Sequence, residues 1–208
     1  MKKIAVLFLI CFCCAVISAQ TSHTLETVCA SLAAHENTTG DFTQIKTIQT
    51  NGRKLKSSGK YIICPQGIVW QTEKPVPSSL ILTKDTMVQI AASGKKSVMN
   101  GKDNQIFANI SETLSSVFSG DVAALKKNFN CDFSINKSGE WSVSLEPKDS
   151  TIASVMKTLV LSGTYNEYAA MTLLEMLEAS GNTISYEFTN QKYPKELSAD
   201  EKQNFIIE

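Results

Sequence analysis

Leu55–Leu80 reads LKSSGKYIICPQGIVWQTEKPVPSSL, and its pattern has a period of two. Ser57, Gly59, Tyr61 and Ile63 share one face of an extended strand, and Ser58, Lys60 and Ile62 share the other. Pro65-Gln66-Gly67 is a turn. Ile68 to Thr72 then resumes as a strand with Ile68 and Trp70 on one face, until Pro75 and Pro77 interrupt it. Strands joined by so short a turn pair antiparallel.

The same period continues on both sides. Leu80 to Thr83, Met87 to Ala92 and Ser97 to Met99 read as short strands around the turns Lys84-Asp85 and Ser93-Gly94. Upstream, Asn37 to Gly40 is a break, and the two-residue period begins at Asp41. Before it, Thr24 to His35 places Leu25, Val28, Cys29, Leu32 and Ala33 at helical spacing. Downstream, Ile106, Ile110, Leu114, Val117 and Phe118 recur at helical spacing; Gly120 stops that helix, and Asp121 caps a second one running through Lys127. Strands return at Asp132 to Asn136 and Trp141 to Leu145, with Ser138-Gly139 as their hairpin turn. Leu159, Leu161 and Ser162-Gly163 read as a strand and a turn. Tyr168 to Ala179 is a conflict: its residue types favour a helix, but its place before Ser180-Gly181-Asn182 and the alternating Thr183 to Thr189 suggests the first arm of a hairpin. Leu197, Phe205 and Ile207 close the chain. The expectation is one domain, residues 20–208, built as a long antiparallel meander with inserted helices.

Composition narrows the function. The 208 residues carry 20 basic and 20 acidic side chains and are 43% hydrophobic and 19% charged, which fits neither a disordered chain nor a multi-span membrane protein. Neutrality argues against nucleic acid as a partner. Residues 1–19, MKKIAVLFLICFCCAVISA, join a Lys2-Lys3 n-region, a short apolar run and a small-residue end, the layout of a cleavable signal peptide. The run is too short for a membrane anchor. Cys11, Cys13 and Cys14 lack the small preceding residue of a lipoprotein cleavage site, so a soluble exported protein is expected. Cleavage would leave 18 basic against 20 acidic groups and three cysteines, Cys29, Cys64 and Cys131. An odd count is no disulfide framework, although one pair could form in an oxidising compartment, and the spacing does not resemble a zinc site.

No motif announces catalysis. There is no Gly-x-Ser-x-Gly elbow, Gly-rich phosphate loop, Gly-x-Gly-x-x-Gly or His-Glu-x-x-His, and no carboxylate pair suggests acid–base work. A Cys64 nucleophile with His35 as base has no local signature to support it. The expectation is a protein that is not an enzyme and needs no cofactor or metal. The curved sheet of such a meander has an apolar inner face. Helices either fill it as a core or merely cover it, leaving room for acyl chains, each buried CH₂ of which is worth ~0.8 kcal/mol.

Leu55–Leu80 resembles the LolA-like outer-membrane lipoprotein carriers. The likeness rests on a Gly-bearing strand, a Pro, an apolar pair with Trp, a second Pro and an apolar strand, here Gly59, Tyr61, Pro65, Ile68, Trp70, Pro75 and Leu80. Gly40-Asp41-Phe42-Thr43-Gln44 is similar to the family's Phe-x-Gln strand, WSVSLEP at Trp141–Pro147 to its strand ending in Leu-x-Pro, and Gly181–Asn190 with Phe205 to its closing strand, loop and Phe. The resemblance spans essentially the whole chain after the signal. It implies a mainly β fold with α elements: an incomplete, half-open antiparallel β-barrel of LolA/LolB-like type under a helical lid formed by Thr24–His35 and Ile106–Lys127. It also implies that Tyr168–Ala179 is a strand.

By the same resemblance the function is a periplasmic carrier that shields the acyl chains of lipoproteins in a hydrophobic cavity. The carrier would take them from an inner-membrane lipoprotein-release complex to an outer-membrane acceptor. The candidate lining is Phe42, Tyr61, Ile63, Ile68, Trp70, Leu80, Leu82, Leu114, Val117 and Phe118. Acylated lipoproteins or other lipids are the expected partners. The alternative is a module of the same fold that senses lipid or lipoprotein. One departure stands out. Well-known carriers place an Arg that ties the lid shut immediately before the Pro corresponding to Pro65, where this chain has Cys64, and a thiol cannot replace a five-donor guanidinium.

Overall fold

The computed structural model describes residues 23–83, 86–100, 113, 116, 117 and 119–206. The signal segment 1–19, most of the helix expected at Ile106–Phe118 with its site candidates Leu114 and Phe118, and the terminal Ile207 lie outside them.

Eleven antiparallel strands form one open sheet: β1 Thr38–Thr47, β2 Lys54–Cys64, β3 Gly67–Lys74, β4 Ser78–Leu82, β5 Thr86–Ile90, β6 Lys96–Asn100, β7 Phe129–Ile135, β8 Glu140–Pro147, β9 Met156–Tyr165, β10 Ala169–Glu178 and β11 Thr183–Lys192. Their order is β6-β5-β4-β3-β2-β1-β11-β10-β9-β8-β7. The first strand therefore sits near the middle, between β2 and β11, and the two ladders of neighbouring strands spread from it. The hairpin in Leu55–Leu80 has the expected register, with Ile63 opposite Ile68 and Tyr61 opposite Trp70. Gly59 faces Thr72, and a Cβ there would collide with the Gln71 carbonyl. Only glycine permits that approach.

Among the described residues, four helices have defined bounds: α1 Leu25–Ala33, α2 Val122–Asn128, α3 Ser150–Ala153 and α4 Ala199–Gln203. Thr24 caps α1 in a box with Thr27, and the Asp121 carboxylate accepts from the Ala124 amide at 2.9 Å at the start of α2. Both follow the expected boundaries. α3 and α4 were not expected. They are short, started by Asp149 and by a Ser198–Glu201 capping box. A further correction concerns a strand. Ser162-Gly163 is not a turn but lies inside β9, where Gly163 sits opposite Met171; a Cβ there would collide with the Ala170 carbonyl and crowd Trp141. Tyr168–Ala179, helical in residue type, contains β10, the strand that the family resemblance implied.

The period-two pattern sorts side chains into two clusters. On one face Phe42, Tyr61, Ile63, Ile68, Leu82, Leu145, Leu161, Leu174 and Phe188 pack with Leu25, Val28 and Cys29 of α1, Val117, and Leu125 of α2. On the other, Ile62, Cys64, Val69, Ile81 and Val88 are covered by Leu197 and Phe205, which flank α4. Cleanly alternating strands normally bury one face and wet the other. Here the β2–β5 segment buries both, and the C-terminal segment is what covers the second.

One ion pair ties α1 to α2: Lys126 Nζ lies 2.6 Å from Glu26 Oε1. The hydrogen bond from Lys126 holds the Glu26 carboxyl down at about 2. A depressed carboxylate pKa stabilises the fold above the ordinary value near 4.5 and loses that contribution as pH falls towards 2. Both side chains are half exposed, so screening keeps the effect small. Melting temperature should therefore fall more between pH 5 and pH 2 in the wild type than in Glu26→Gln, and equal slopes would show the pair to be energetically silent.

Candidate functional site: an apolar cavity in the sheet

The strands and helices do not fill the inner face completely. A cavity of about 490 Å³ remains between the β3–β5 and β9–β11 sides, within the size range of small-molecule sites. β1 contributes Phe42 and Gln44; β3 contributes Trp70 and Thr72; β4 and β5 contribute Ser78, Ser79, Leu80, Leu82, Met87 and Gln89. The opposite wall is Met156, Leu159, Leu174, Met176 and Tyr186, and Thr113 of the helical segment also borders it. The aromatic side of the wall is continuous: ring centroids of Tyr186 lie 5.8 Å from Phe42, 6.1 Å from Trp70 and 6.3 Å from Phe188. Trp70 Nε1 is buried and has no hydrogen-bond partner among the described residues.

Among the described residues, no acidic, basic or histidine side chain lines the cavity. Its polar groups are neutral hydroxyls and amides, and Gln44 Oε1 accepts from Ser57 Oγ at 3.1 Å. Two residues beyond Gln44 and Met176, Lys46 and Glu178 close an ion pair of 2.7 Å. Burial pushes the Glu178 carboxyl up, but hydrogen bonds from Lys46, Asn182 and Ser180 outweigh it and hold the group ionised. Such a site can take up an apolar chain and gives an ionised group inside it no counter-charge.

Of the sequence candidates, Phe42, Trp70, Leu80 and Leu82 line the cavity. Tyr61, Ile63, Ile68 and Val117 lie in the packed core beside it, each at most 8% exposed. The β9–β11 wall was not among the candidates. The alternation over Thr183–Thr189, which includes Tyr186, and the Leu159, Leu161 strand were the signals available for it.

Cys64 packs with Ile62 and Val69 in the cluster under α4, on the face opposite the cavity-lining side chains. It therefore offers the inner face no substitute for the latch Arg. Burial pushes its thiol up, the wrong direction for a nucleophile. His35 stacks on Tyr193 at 3.8 Å between ring centroids and meets Tyr168 edge-on. Cys29 and Cys131 are also free thiols. Among the described residues no group of three His, Cys, Asp or Glu could hold a metal ion, and no helix is long and apolar enough to cross a membrane.

The family model "Outer membrane lipoprotein carrier protein LolA" matches residues 34–202, a span that includes every strand of the sheet. The chain belongs to the LolA family. LolA proteins are carriers, and the likeness supports a role in binding lipid or lipoprotein. No curated protein matches the chain. Among solved structures, it is similar to a DUF1329 family protein from Desulfovibrio piger, with a TM-score of 0.50, 11% identity, and 84% of this chain and 92% of that one covered. At that identity the likeness is one of fold. A LolA superfamily protein from Nitrosomonas europaea aligns with a TM-score of 0.44 at 8% identity, covering 86% and 97%. The Mycobacterium tuberculosis lipoprotein LppX aligns at 0.42 and 9%, covering 84% and 98%.

Proposed function

We propose that this LolA-family protein is an exported, non-enzymatic carrier of acylated cargo. Residues 1–19 act as its signal peptide, and residues 20–208 form one lipid-binding domain working in the periplasm. The carrier takes a lipoprotein from an inner-membrane release complex, shelters its acyl chains and yields them to an outer-membrane acceptor. The observation that carries this reading is the largely apolar cavity inside the family's open sheet, with no charged side chain among its described lining residues. Phe42, Trp70, Leu80 and Leu82 hold the chain on one side, with Met176 and Tyr186 opposite. Tyr61, Ile63 and Ile68 support the wall from the core, with Val117 packed in the same cluster. Transfer is driven by affinity differences among donor, carrier and acceptor, because burial of methylenes supplies binding energy without chemistry.

Native mass spectrometry of protein purified from its own periplasm, with organic extraction, tests this directly. Co-purifying lipoprotein or diacyl lipid is the expected result. A bare protein mass, with no uptake of an added acylated peptide, would sink the proposal. Cys64→Ser should leave uptake unchanged, because the thiol faces away from the cavity. If that substitution abolished activity while the protein stayed folded, the carrier reading would give way to one in which the Cys64 thiol does chemistry.

A further inference from the structure

We infer that the turns at one end of β1–β6 form a docking surface for an anionic phospholipid bilayer. Three connections meet at that end. Thr47 is opposite Lys54 across the first, Ser58 is opposite Lys74 beside the second, and Ile90 is opposite Lys96 across the third. Together they present Arg53, Lys54, Lys56, Lys74 and Lys95, all exposed. The one acidic residue in these segments, Glu73, lies 3.7 Å from Lys60 in an exposed pair. The neutral whole-chain charge hides this: the three segments, Lys96 included, carry a net +5, and the rest of the chain −5. The β7–β11 half of the same end balances Glu146, Asp149 and Glu178 against Lys127, Lys148 and Lys157, so the cationic excess lies in the β1–β6 lobe.

Apolar groups stand within the same rim. Val76, between Pro75 and Pro77, is 61% exposed, and Leu55 is 44% exposed. Cations around an exposed apolar tip suit a surface that offers both negative charge and hydrocarbon. Juxtamembrane basic clusters draw on that combination, and neither signal alone anchors stably. The rim also lies at the cavity's polar end. Ser78 follows Pro77, and Thr72, Gln89 and Gln44 each stand within three residues of a turn here. Docked this way, the neutral belt of the cavity meets the headgroup layer.

The inference goes beyond the carrier reading and can fail separately from it. The test is cosedimentation of the full mature chain with vesicles of phosphatidylglycerol and phosphatidylcholine, against phosphatidylcholine alone, at low and high salt. Binding is expected only to the anionic vesicles and should be lost at high salt. At roughly fivefold per cation, Lys74→Glu with Lys95→Glu should weaken binding at least tenfold. Lys137→Glu with Lys192→Glu, an equal charge change elsewhere, should leave it within about twofold. Both double variants should still take up an acylated peptide; if neither they nor the wild type does, the carrier reading fails and the vesicle result stands by itself. Equal binding to neutral vesicles, or equal losses in the two variants, overturns the docking surface. Absence of binding at low salt overturns it as well and leaves an acidic protein face as the occupant of the rim.

Discussion

Replacing Met87 and Met176 together by Trp is expected to weaken acyl-chain binding by roughly a hundredfold while the protein stays folded. The two side chains line opposite walls of the cavity, on β5 and β10, and each is only partly buried. An indole grown from either position enters open volume rather than packed core, so the overpacking penalty of a filled interior does not apply. If the two rings displace about four methylenes of a bound chain, the loss is ~3 kcal/mol at ~0.8 kcal/mol per methylene, which is about a hundredfold in Kd. Titration of an acylated peptide against both proteins, with circular dichroism melting as the fold control, measures it. An unchanged Kd with an unchanged melt would mean that the chain binds somewhere other than this cavity. The variant says nothing about membrane docking, because neither residue lies on the cationic rim.

The parts of this fold that the sequence revealed are those where side-chain alternation meets a tight turn. β2 and β3 are of that kind: Tyr61, Ile63, Ile68 and Trp70 alternate cleanly, and Pro65-Gln66-Gly67 leaves the chain no room for another pairing. β10 was ambiguous for a physical reason. Its register with β9 shifts between Met171 and Leu173 and again at its end, and a bulge breaks the two-residue period that alternation depends on. What remains is a run of Ala, Met, Leu and Glu that resembles a helix until its two partner strands are known. Gly163 misled in the opposite sense. Glycine marks turns, but here it makes room for the backbone of β10 and for Trp141.

The cavity was half legible for a related reason. Alternation identifies the inner face of a strand, not the depth at which that face stops touching its cover. Phe42 and Trp70 border open volume, while Tyr61 and Ile63, on the same face of β2, are packed shut. Which of these holds depends on helices far away in sequence, because α1 packs on β10 and touches α2. The longest family motif lies in β2–β4, so it pointed to that wall. Met156, Leu159, Leu174 and Met176 carry no motif and enter the site only once β9 and β10 have been placed opposite it.

That dependence on the cover makes Phe129→Ala the substitution with the largest expected cost in stability. Phe129 ends α2, begins β7 and is 1% exposed. Its amide donates to the Leu125 carbonyl while its side chain packs in the inner-face cluster. It therefore pins the turn where the helical cover becomes sheet. Truncating a buried Phe removes its transfer free energy and leaves a cavity, typically ~3–5 kcal/mol, against a total stability of about 5–15 kcal/mol for an ordinary domain. The denaturant midpoint should fall sharply with little change in slope. Leu55→Ala, at a 44% exposed position, should stay within about 0.5 kcal/mol of wild type. A loss below about 1 kcal/mol for Phe129→Ala would mean that the α2–β7 junction is not a fixed part of the core. The cover would then be free to move without unfolding the sheet, and acyl chains could enter by its displacement rather than through the polar end of the cavity.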